Sequence, residues 1–365
     1  MSGRGPESVW YGGTRVSALA RATLAPAGWA YCAAASLRNR LYDFGWLRSV
    51  EPALPTLAVG NLSVGGSGKT PVAAWAARRL LERGASPAIV LRGYGADEPL
   101  VHQQINPRAL VIANADRVRA VQQARFDGAD CAVLDDAFQH RRIRRRENWL
   151  LVSAERWGRD QRCLPAGPLR EPRSAIGRAT VIVVTRKSAP RASAEAVMRQ
   201  LSVAAPHAPV ALVHLAPSAL VDALAGVSRA TESLRDTKVL AVAAIGNPGA
   251  FFVQLRSAGA TVDEAVYRDH HAFDERDVRE IVDRGASHDL VLCTLKDAVK
   301  LAPLWPRKGP ALWYVSQDVE VEHGEAALEA SLTTILAARA SVPPTAGPAG
   351  PDSTAHGYRS STADQ

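Results

Sequence analysis

A glycine-rich turn ending in Gly-Lys-Thr follows a short apolar run near residue 60. Because glycine has no Cβ, successive backbone N–H groups of such a turn can point inward at an anion. Lys69 can then reach the β- and γ-phosphates of a nucleotide, and the Thr70 hydroxyl can bind Mg²⁺. We expect these consecutive residues to bind the nucleotide: Ser63, Val64, Gly65, Gly66, Ser67, Gly68, Lys69 and Thr70.

The strict nucleotide-loop pattern has glycine where this chain has Ser63. The alternative interpretation is a glycine-rich turn that precedes Lys-Thr by chance. The surrounding pattern favours the nucleotide loop, because an apolar strand precedes it and a periodic helix over about 71–83 follows it.

Two adjacent aspartates, Asp135 and Asp136, end a second apolar run at 131–135. A carboxylate at the end of such a strand typically holds the Mg²⁺ of a bound nucleotide. Side chains alternate along a strand, so only one of the two shares a face with Thr70 unless the strand ends there. The sequence leaves open which aspartate contacts the metal.

Charged side chains also follow the apolar run 87–92, namely Arg92, Asp97 and Glu98. Ligands of open α/β sheets bind outside the carboxyl ends of the strands, so these side chains are placed to reach the phosphate site. A third cluster, Asp-His-His at 269–271, has side chains for metal binding or for acid–base chemistry near neutral pH. No third metal ligand follows it at a recognisable spacing.

Two further patterns do not support the function that they suggest. Thr-Leu-Lys-Asp at 294–297 follows a strand, as the guanine-reading motif of GTPases does, but its lysine comes one position too late. The arginine run 141–146 lacks interleaved aromatic residues and any recognisable nucleic-acid module, so we expect no nucleic-acid partner.

Apolar strands alternate with helices along the chain, which predicts a mostly parallel α/β sheet. The expected strands are 56–60, 87–92, 109–113, 131–135, 149–153, 180–185, 209–215, 238–245, 289–294 and 311–315. These are too many for one compact sheet, so we divide the chain near residue 146. The predicted organisation is an N-terminal membrane-associated helical segment (1–50), a P-loop nucleotide-binding domain (51–146), a second α/β domain (147–340) whose last helix returns to the first, and a disordered tail (341–365).

The N-terminal segment has an uncharged, mostly apolar stretch over 23–37 with arginines on both sides. It is too short to span a bilayer, so we expect a helical hairpin, bent near Pro26, that lies on an anionic membrane surface. The aromatic residues expected at headgroup depth are Trp10, Tyr11, Trp29 and Tyr31. The alternatives are a soluble helix packed on the domain and a cleaved signal peptide, which would leave the nucleotide loop without ATP outside the cell.

Composition fits a folded protein with a basic surface. Of the 365 residues, 47% are hydrophobic and 22% charged, and the net charge is +8. Such a charge suits an anionic membrane or a phosphorylated substrate. The four cysteines are isolated in the sequence and indicate reduced thiols in the cytosol.

Taken together, the motifs resemble the tetraacyldisaccharide 4′-kinase (lipid A 4′-kinase) family over about residues 8–335. In chain order they are Val-Gly-Asn-Leu-Ser-Val-Gly-Gly-Ser-Gly-Lys-Thr-Pro at 59–71, Arg-Gly-Tyr-Gly at 92–95, Asp-Glu-Pro at 97–99, Asp-Asp-x-x-Gln-His-Arg-Arg at 135–142, Leu-Pro-Ala-Gly-Pro-Leu-Arg-Glu-Pro at 164–172, Ile-Gly-Asn-Pro-x-x-Phe-Phe at 245–252, Asp-His-His-x-Phe at 269–273 and Thr-x-Lys-Asp-Ala-Val-Lys-Leu at 294–301.

The resemblance implies ATP and Mg²⁺ as cofactors and a lipid A disaccharide 1-phosphate precursor as the acceptor, phosphorylated on its 4′-hydroxyl. It implies a location on the cytoplasmic face of the bacterial inner membrane and no obligate protein partner. It also implies Asp97 and His270 as the catalytic pair. The motifs further supply substrate or supporting residues: Arg92, Glu98, Gln139, His140 and Arg170.

The chain departs from the family pattern in two places. Only Ala96 separates Arg-Gly-Tyr-Gly from Asp-Glu-Pro, where family members have a longer segment, and Leu295 replaces a glutamate. Two alternatives to an active lipid kinase therefore stay open at this point. One is a GTPase-type switch or metallochaperone, and the other is a weakly active family member that binds ATP and lipid.

Overall fold

The computed structural model describes residues 6–93, 97–158, 161–246 and 248–340. The tail expected to be disordered, 341–365, lies outside the described residues. So do 94–96, which include Ala96, the residue that forms the shortened segment before Asp97.

Within these ranges the strands form one mixed sheet in the order β10-β9-β11-β12-β7-β6-β5-β1-β4-β2-β3, with β8 paired to β7. The strands are β1 (Thr56–Asn61), β2 (Pro87–Leu91), β3 (Leu110–Ala113), β4 (Cys131–Asp135), β5 (Glu147–Ser153), β6 (Val181–Arg186), β7 (Val210–Asp222), β8 (Ser228–Ala230), β9 (Lys238–Ala243), β10 (Thr261–Val266), β11 (Leu290–Thr294) and β12 (Leu312–His323).

The helices pack on both faces of this sheet, which leaves the central strands β1, β2 and β4 buried along their whole length. They are α1 (Pro6–Tyr11), α2 (Arg15–Asp43), α3 (Lys69–Glu82), α4 (Asp97–Ile105), α5 (Arg117–Phe126), α6 (Arg191–Ala204), α7 (Pro248–Ser257), α8 (Glu275–Gly285), α9 (Leu295–Leu301) and α10 (Glu325–Arg339). The predicted α/β class, with a P-loop strand and a mostly parallel sheet, is confirmed.

The expectation that the strands are too many for one sheet is wrong. β5 pairs in parallel with β1, from Leu57 opposite Glu147 to Asn61 opposite Leu151. The boundary placed at residue 146 therefore coincides with no break in the sheet. Trp149 of β5 is buried in the same apolar core as Leu57. The number of domains itself stays a prediction.

The change from one half of the sheet to the other occurs at β7 and β12. These two long strands pair antiparallel, and the first half of β7 also pairs with β6 while the first half of β12 pairs with β11. Along β7, the residues up to Leu215 belong to the cores on the β1 side, whereas Leu220 belongs to a core around β9 and β11. The last helix, α10, returns to the first half, where the Ser331 hydroxyl accepts a 2.8 Å hydrogen bond from the Trp149 indole.

The N-terminal segment differs from its expected shape. Helix α2 continues through Pro26, so the expected hairpin does not turn there; the chain turns between α1 and α2 at 12–14 instead. Trp10 is buried and its indole donates to the carbonyl of Pro165 at 3.0 Å, so it packs on the protein and does not reach headgroup depth. Trp29 and Tyr31 are exposed. None of the helices in the described ranges is long and apolar enough to cross a membrane.

Candidate active site

The glycine-rich loop joins β1 to α3 and takes the shape that its glycines allow. Gly65 and Gly68 have φ angles of +111° and +81°, a region that favours glycine over residues with a Cβ. Helix α3 begins at Lys69, so its first backbone N–H groups face the loop. The outer side of the loop is held by the segment after β5, since the Val64 N–H donates to the Pro168 carbonyl at 2.8 Å. The arrangement is that of an anion-binding loop at a helix N-terminus.

Asp136 lies directly beside this loop. Its carboxylate accepts hydrogen bonds from Nη1 of Arg170 at 2.9 and 3.0 Å and lies 3.7 Å from Nζ of Lys69. Asp136 has a φ of +50°, because the chain turns sharply where β4 ends. Two cations thus hold the Asp136 carboxylate next to the position of the nucleotide phosphates.

Asp135, the last residue of β4, is buried and makes different contacts. Its Oδ2 lies 2.9 Å from Nε2 of His102 on α4, and its Oδ1 has no hydrogen-bond partner among the described residues. Burial would raise the pKa of Asp135, but the hydrogen bond with His102 and the charge of Lys69 outweigh it, so the pKa is lowered. The group is therefore an ionised carboxylate with one oxygen available for a further ligand.

Asp97 and His270 come together from the two halves of the sheet. Asp97 is the first residue of α4 and is buried, and its Oδ2 lies 3.5 Å from Nδ1 of His270. His270 has a φ of +58°, and its backbone N–H donates to the Ala244 carbonyl at the end of β9. Lys296 of α9 brings its ammonium to 4.0 Å from Asp97 Oδ2. The shortened segment before Asp97 therefore does not keep this carboxylate away from His270.

Glu98 connects this pair electrostatically with the aspartates at the end of β4. Burial raises the pKa of Glu98; Lys296, 3.9 Å from its Oε1, lowers it, and the carboxylates of Asp135, Asp97 and Asp136 raise it again. The pKa of Glu98 lies above its ordinary value as a result. Four carboxyl groups thus lie close together, and cations must neutralise their negative charge.

Arg92 and Arg117 add positive charge at the same edge. Arg92 is exposed and follows β2, as the sequence predicts. Arg117 is buried at the start of α5, and its Nη2 lies 3.5 Å from the Asp135 carbonyl. Burial lowers the pKa of Arg117 to about 10, although the charges of Asp135 and Asp136 act in the opposite direction.

The chain is similar in sequence to one family of known proteins. The family model for tetraacyldisaccharide-1-P 4′-kinase (LpxK) matches residues 20–97 and 96–337. A tetraacyldisaccharide 4′-kinase of Anaeromyxobacter sp. (strain Fw109-5) is 34% identical over 359 residues, which cover 91% of this chain and 96% of that relative. One of Halorhodospira halophila is 34% identical, over 87% of this chain and 94% of that relative.

The chain belongs to the tetraacyldisaccharide-1-P 4′-kinase family. A solved structure of LpxK from Aquifex aeolicus, described as an "apo" form in complex with ATP, has a TM-score of 0.68 and 26% identity to it, covering 86% of this chain and 99% of that one. The resemblance seen in the motifs is confirmed, and the chain is a kinase. The switch or metallochaperone alternative is not favoured.

Gln139 and His140 of this 4′-kinase family member have supporting contacts. The side-chain amide of Gln139 donates to the Asn61 carbonyl at 2.7 Å, which fixes the end of β1 where the loop begins. His140 is half-buried, and burial, together with the charges of Arg117 and Arg145, lowers its pKa to about 4. His140 is therefore neutral at pH 7.

The sequence did not identify His102, Arg117 or Lys296 as site residues of this 4′-kinase. His102 lies four residues after Glu98 on α4, so helical spacing could have placed it on the same face of that helix. Lys296 belongs to the Thr-x-Lys-Asp motif, which contributes to the family resemblance but from which the sequence predicts no role for the lysine. Arg117 had no signal, because a single arginine at a helix start is usually exposed.

Proposed function

We propose that this protein transfers the γ-phosphate of ATP to the 4′-hydroxyl of a tetraacyldisaccharide 1-phosphate, the lipid A precursor. The observation that carries the proposal is the meeting of Asp97 with His270, 3.5 Å apart. The neighbouring Glu98 links this pair to the loop, because the charges of Asp97 and of Asp136, which lies 3.7 Å from Lys69, both raise its pKa. Phosphoryl transfer depends mainly on positioning and on charge stabilisation, and this cluster of cations and carboxylates supplies both.

Asp97 is the group that receives the proton of the sugar hydroxyl. A carboxylate held within hydrogen-bond reach of an attacking hydroxyl can act as its general base. His270 Nδ1 lies 3.5 Å and the Lys296 ammonium 4.0 Å from Asp97 Oδ2, so both can orient the carboxylate towards the substrate. Lys69 and the N-terminus of α3 stabilise the negative charge on the transferred phosphoryl group.

The residues expected to hold Mg²⁺ fit that ion. The buried Oδ1 of Asp135 lacks a hydrogen-bond partner among the described residues, and carboxylate and hydroxyl oxygens are the ligands that Mg²⁺ prefers. Asp135 and Thr70 would hold the ion, while Asp136 is already paired with Arg170 and Lys69. When bound there, the ion would supply charge neutralisation for the nucleotide phosphates.

We also infer that the N-terminal helices rest on the cytoplasmic surface of an anionic inner membrane. Several apolar side chains of α2 and the turn after it are exposed: Val16, Leu19, Trp29, Leu37, Phe44 and Trp46. Arg15, Arg40 and Arg48 are exposed among them and can attract anionic lipid. The other side of α2 docks beside the site, where the Asn39 amide donates to Glu171 at 3.1 Å. A lipid substrate could therefore pass from the surface to the loop.

Vesicle binding by single-residue variants tests the membrane proposal while the N-terminal helices keep their contacts with the rest of the protein. Trp29→Ser and Trp46→Ser should each reduce co-sedimentation with phosphatidylglycerol vesicles, and added salt should reduce it for the unmodified protein. Phe126→Ser is the matched control, because Phe126 is equally exposed but lies on α5. Equal binding by all variants would contradict the proposal.

The catalytic proposal is tested by acceptor-dependent transfer with Asp97→Asn, which keeps the shape of the side chain and removes the base. Turnover should fall by about 10²-fold or more while ATP affinity changes little. The control is Asp318→Asn, an exposed carboxylate paired with Arg78 outside the site. Normal turnover by Asp97→Asn would contradict its role, and low turnover by the unmodified protein would favour a weakly active family member.

A further inference from the structure

A second lysine lies against the glycine-rich loop. Lys187 directly follows β6, and its Nζ lies 3.7 Å from the position that a Cβ on Gly66 would occupy. That separation is an ordinary van der Waals contact, so the ammonium lies directly against the loop at Gly66. The lysine is partly buried and is no ordinary surface side chain.

The end of β6 is fixed against the loop by its backbone and by a neighbouring side chain. The Thr185 hydroxyl donates to the Ser67 carbonyl at 3.0 Å. The backbone N–H of Lys187 donates to Oε1 of Glu155 at 2.6 Å, and that carboxylate also accepts from the next two backbone N–H groups. The position of Lys187 relative to Gly66 is thus set by two independent anchors.

The positive charge of Lys187 has no neutralising contact in the described part of the chain. Its ammonium makes no hydrogen bond or ion pair with any residue there, whereas Arg156, which reaches Gly65, pairs with Glu7 at 2.9 Å. Burial lowers the pKa of Lys187; Glu155 opposes this shift, and the charges of Arg156 and Lys69 add to it. Arg156 and Lys187 therefore face two glycines of the loop, Gly65 and Gly66, and Lys69 is close enough for its charge to act on Lys187. A polyphosphate bound at the loop would neutralise these charges.

We propose that Lys187 is a second phosphate-binding lysine of this site, which contacts the nucleotide's phosphates from the side of Gly66 while Lys69 contacts them from α3. The proposal rests on ATP as the phosphate donor. It assigns Lys187 to binding, because its charge compensates that of the phosphates both before and after transfer.

Direct nucleotide binding to the full chain tests the proposal, with calorimetry on ATP, ADP and adenosine. Lys187→Met keeps the apolar stem and removes the charge, and it should weaken ATP binding about tenfold or more, as expected for loss of a charge-assisted hydrogen bond. Adenosine binding should not change, and Lys187→Arg should retain most of the ATP affinity. Lys308→Met, which removes an exposed lysine elsewhere, should bind ATP normally.

The thermal stability of the nucleotide-free protein gives a second readout, in which Lys187→Met should be stabilising although it weakens ATP binding. Because a partly buried cation without an ion pair is costly, Lys187→Met should raise the melting temperature of the nucleotide-free protein and reduce its shift by ATP. Unchanged ATP affinity, or an equal loss for adenosine, would overturn the assignment of Lys187. Absence of ATP binding by the unmodified protein would instead overturn the proposed phosphate donor.

Discussion

The buried contact between His102 and Asp135 provides the most quantitative prediction. His102→Leu removes the 2.9 Å hydrogen bond to Asp135 Oδ2, and Oδ1 of the same carboxylate already lacks a partner. A hydrogen bond to a charged group contributes about 1.5–3 kcal/mol, so the free energy of unfolding should fall by about that amount. Arg117 and Lys69 remain near the carboxylate, which keeps the loss below the roughly 3–5 kcal/mol of a fully broken buried ion pair.

Urea unfolding followed by tryptophan fluorescence measures this loss, and a second background isolates its cause. With Asp135→Asn already present, His102→Leu should cost only about 0.5–1.5 kcal/mol, since the hydrogen bond is then between neutral groups. The difference between the two backgrounds is the coupling energy of the pair. An equal loss in both backgrounds would refute the role of His102 as a positioning residue for the Asp135 carboxylate.

Three further predictions concern the loop, the proposed base and a buried histidine. Lys69→Ala should lower turnover by about 10²–10³-fold with the fold intact, measured by transfer kinetics and circular dichroism; near-normal turnover would argue against a phosphate loop. Asp97→Ala combined with His270→Ala should be scarcely slower than the poorer single variant, whereas multiplied losses would give His270 a separate role. The pKa of His140 is lowered to about 4, so as the pH drops the unfolded state takes up a proton before the folded state does. Stability should therefore fall as the pH drops from about 6.5 towards 4. His140→Gln should flatten this fall, measured as urea midpoints against pH, and an unchanged slope would contradict the prediction.

Local patterns predicted the strands well, because apolar runs of the parallel sheet are buried on both faces. β4 begins and ends where the sequence places it, and β1 is one residue longer. β7 was expected to end at 215 but continues to Asp222, since its second half pairs with β12, nearly a hundred residues away. Pairing at such a distance leaves no local signal, which is also why the continuity of the sheet past residue 146 was missed.

The site was predictable where a motif is contiguous and not where it is assembled in space. The loop residues are consecutive in the sequence, and so are the two aspartates. The chemistry of each motif could therefore be inferred from residue types alone. The partners of those aspartates come from elsewhere: His102 approaches Asp135 from α4, and Arg170 approaches Asp136 from the segment after β5. Only packing decides which charged side chains turn inward, so Lys187 had no signal in the sequence.

Transfer of labelled phosphate from ATP to a tetraacyldisaccharide 1-phosphate tests the central claim most directly. The protein should transfer label only when this acceptor is present, and nuclear magnetic resonance should locate the new phosphate on the 4′-oxygen. Preference for GTP, release of label without the acceptor, or phosphate on another hydroxyl would contradict the account.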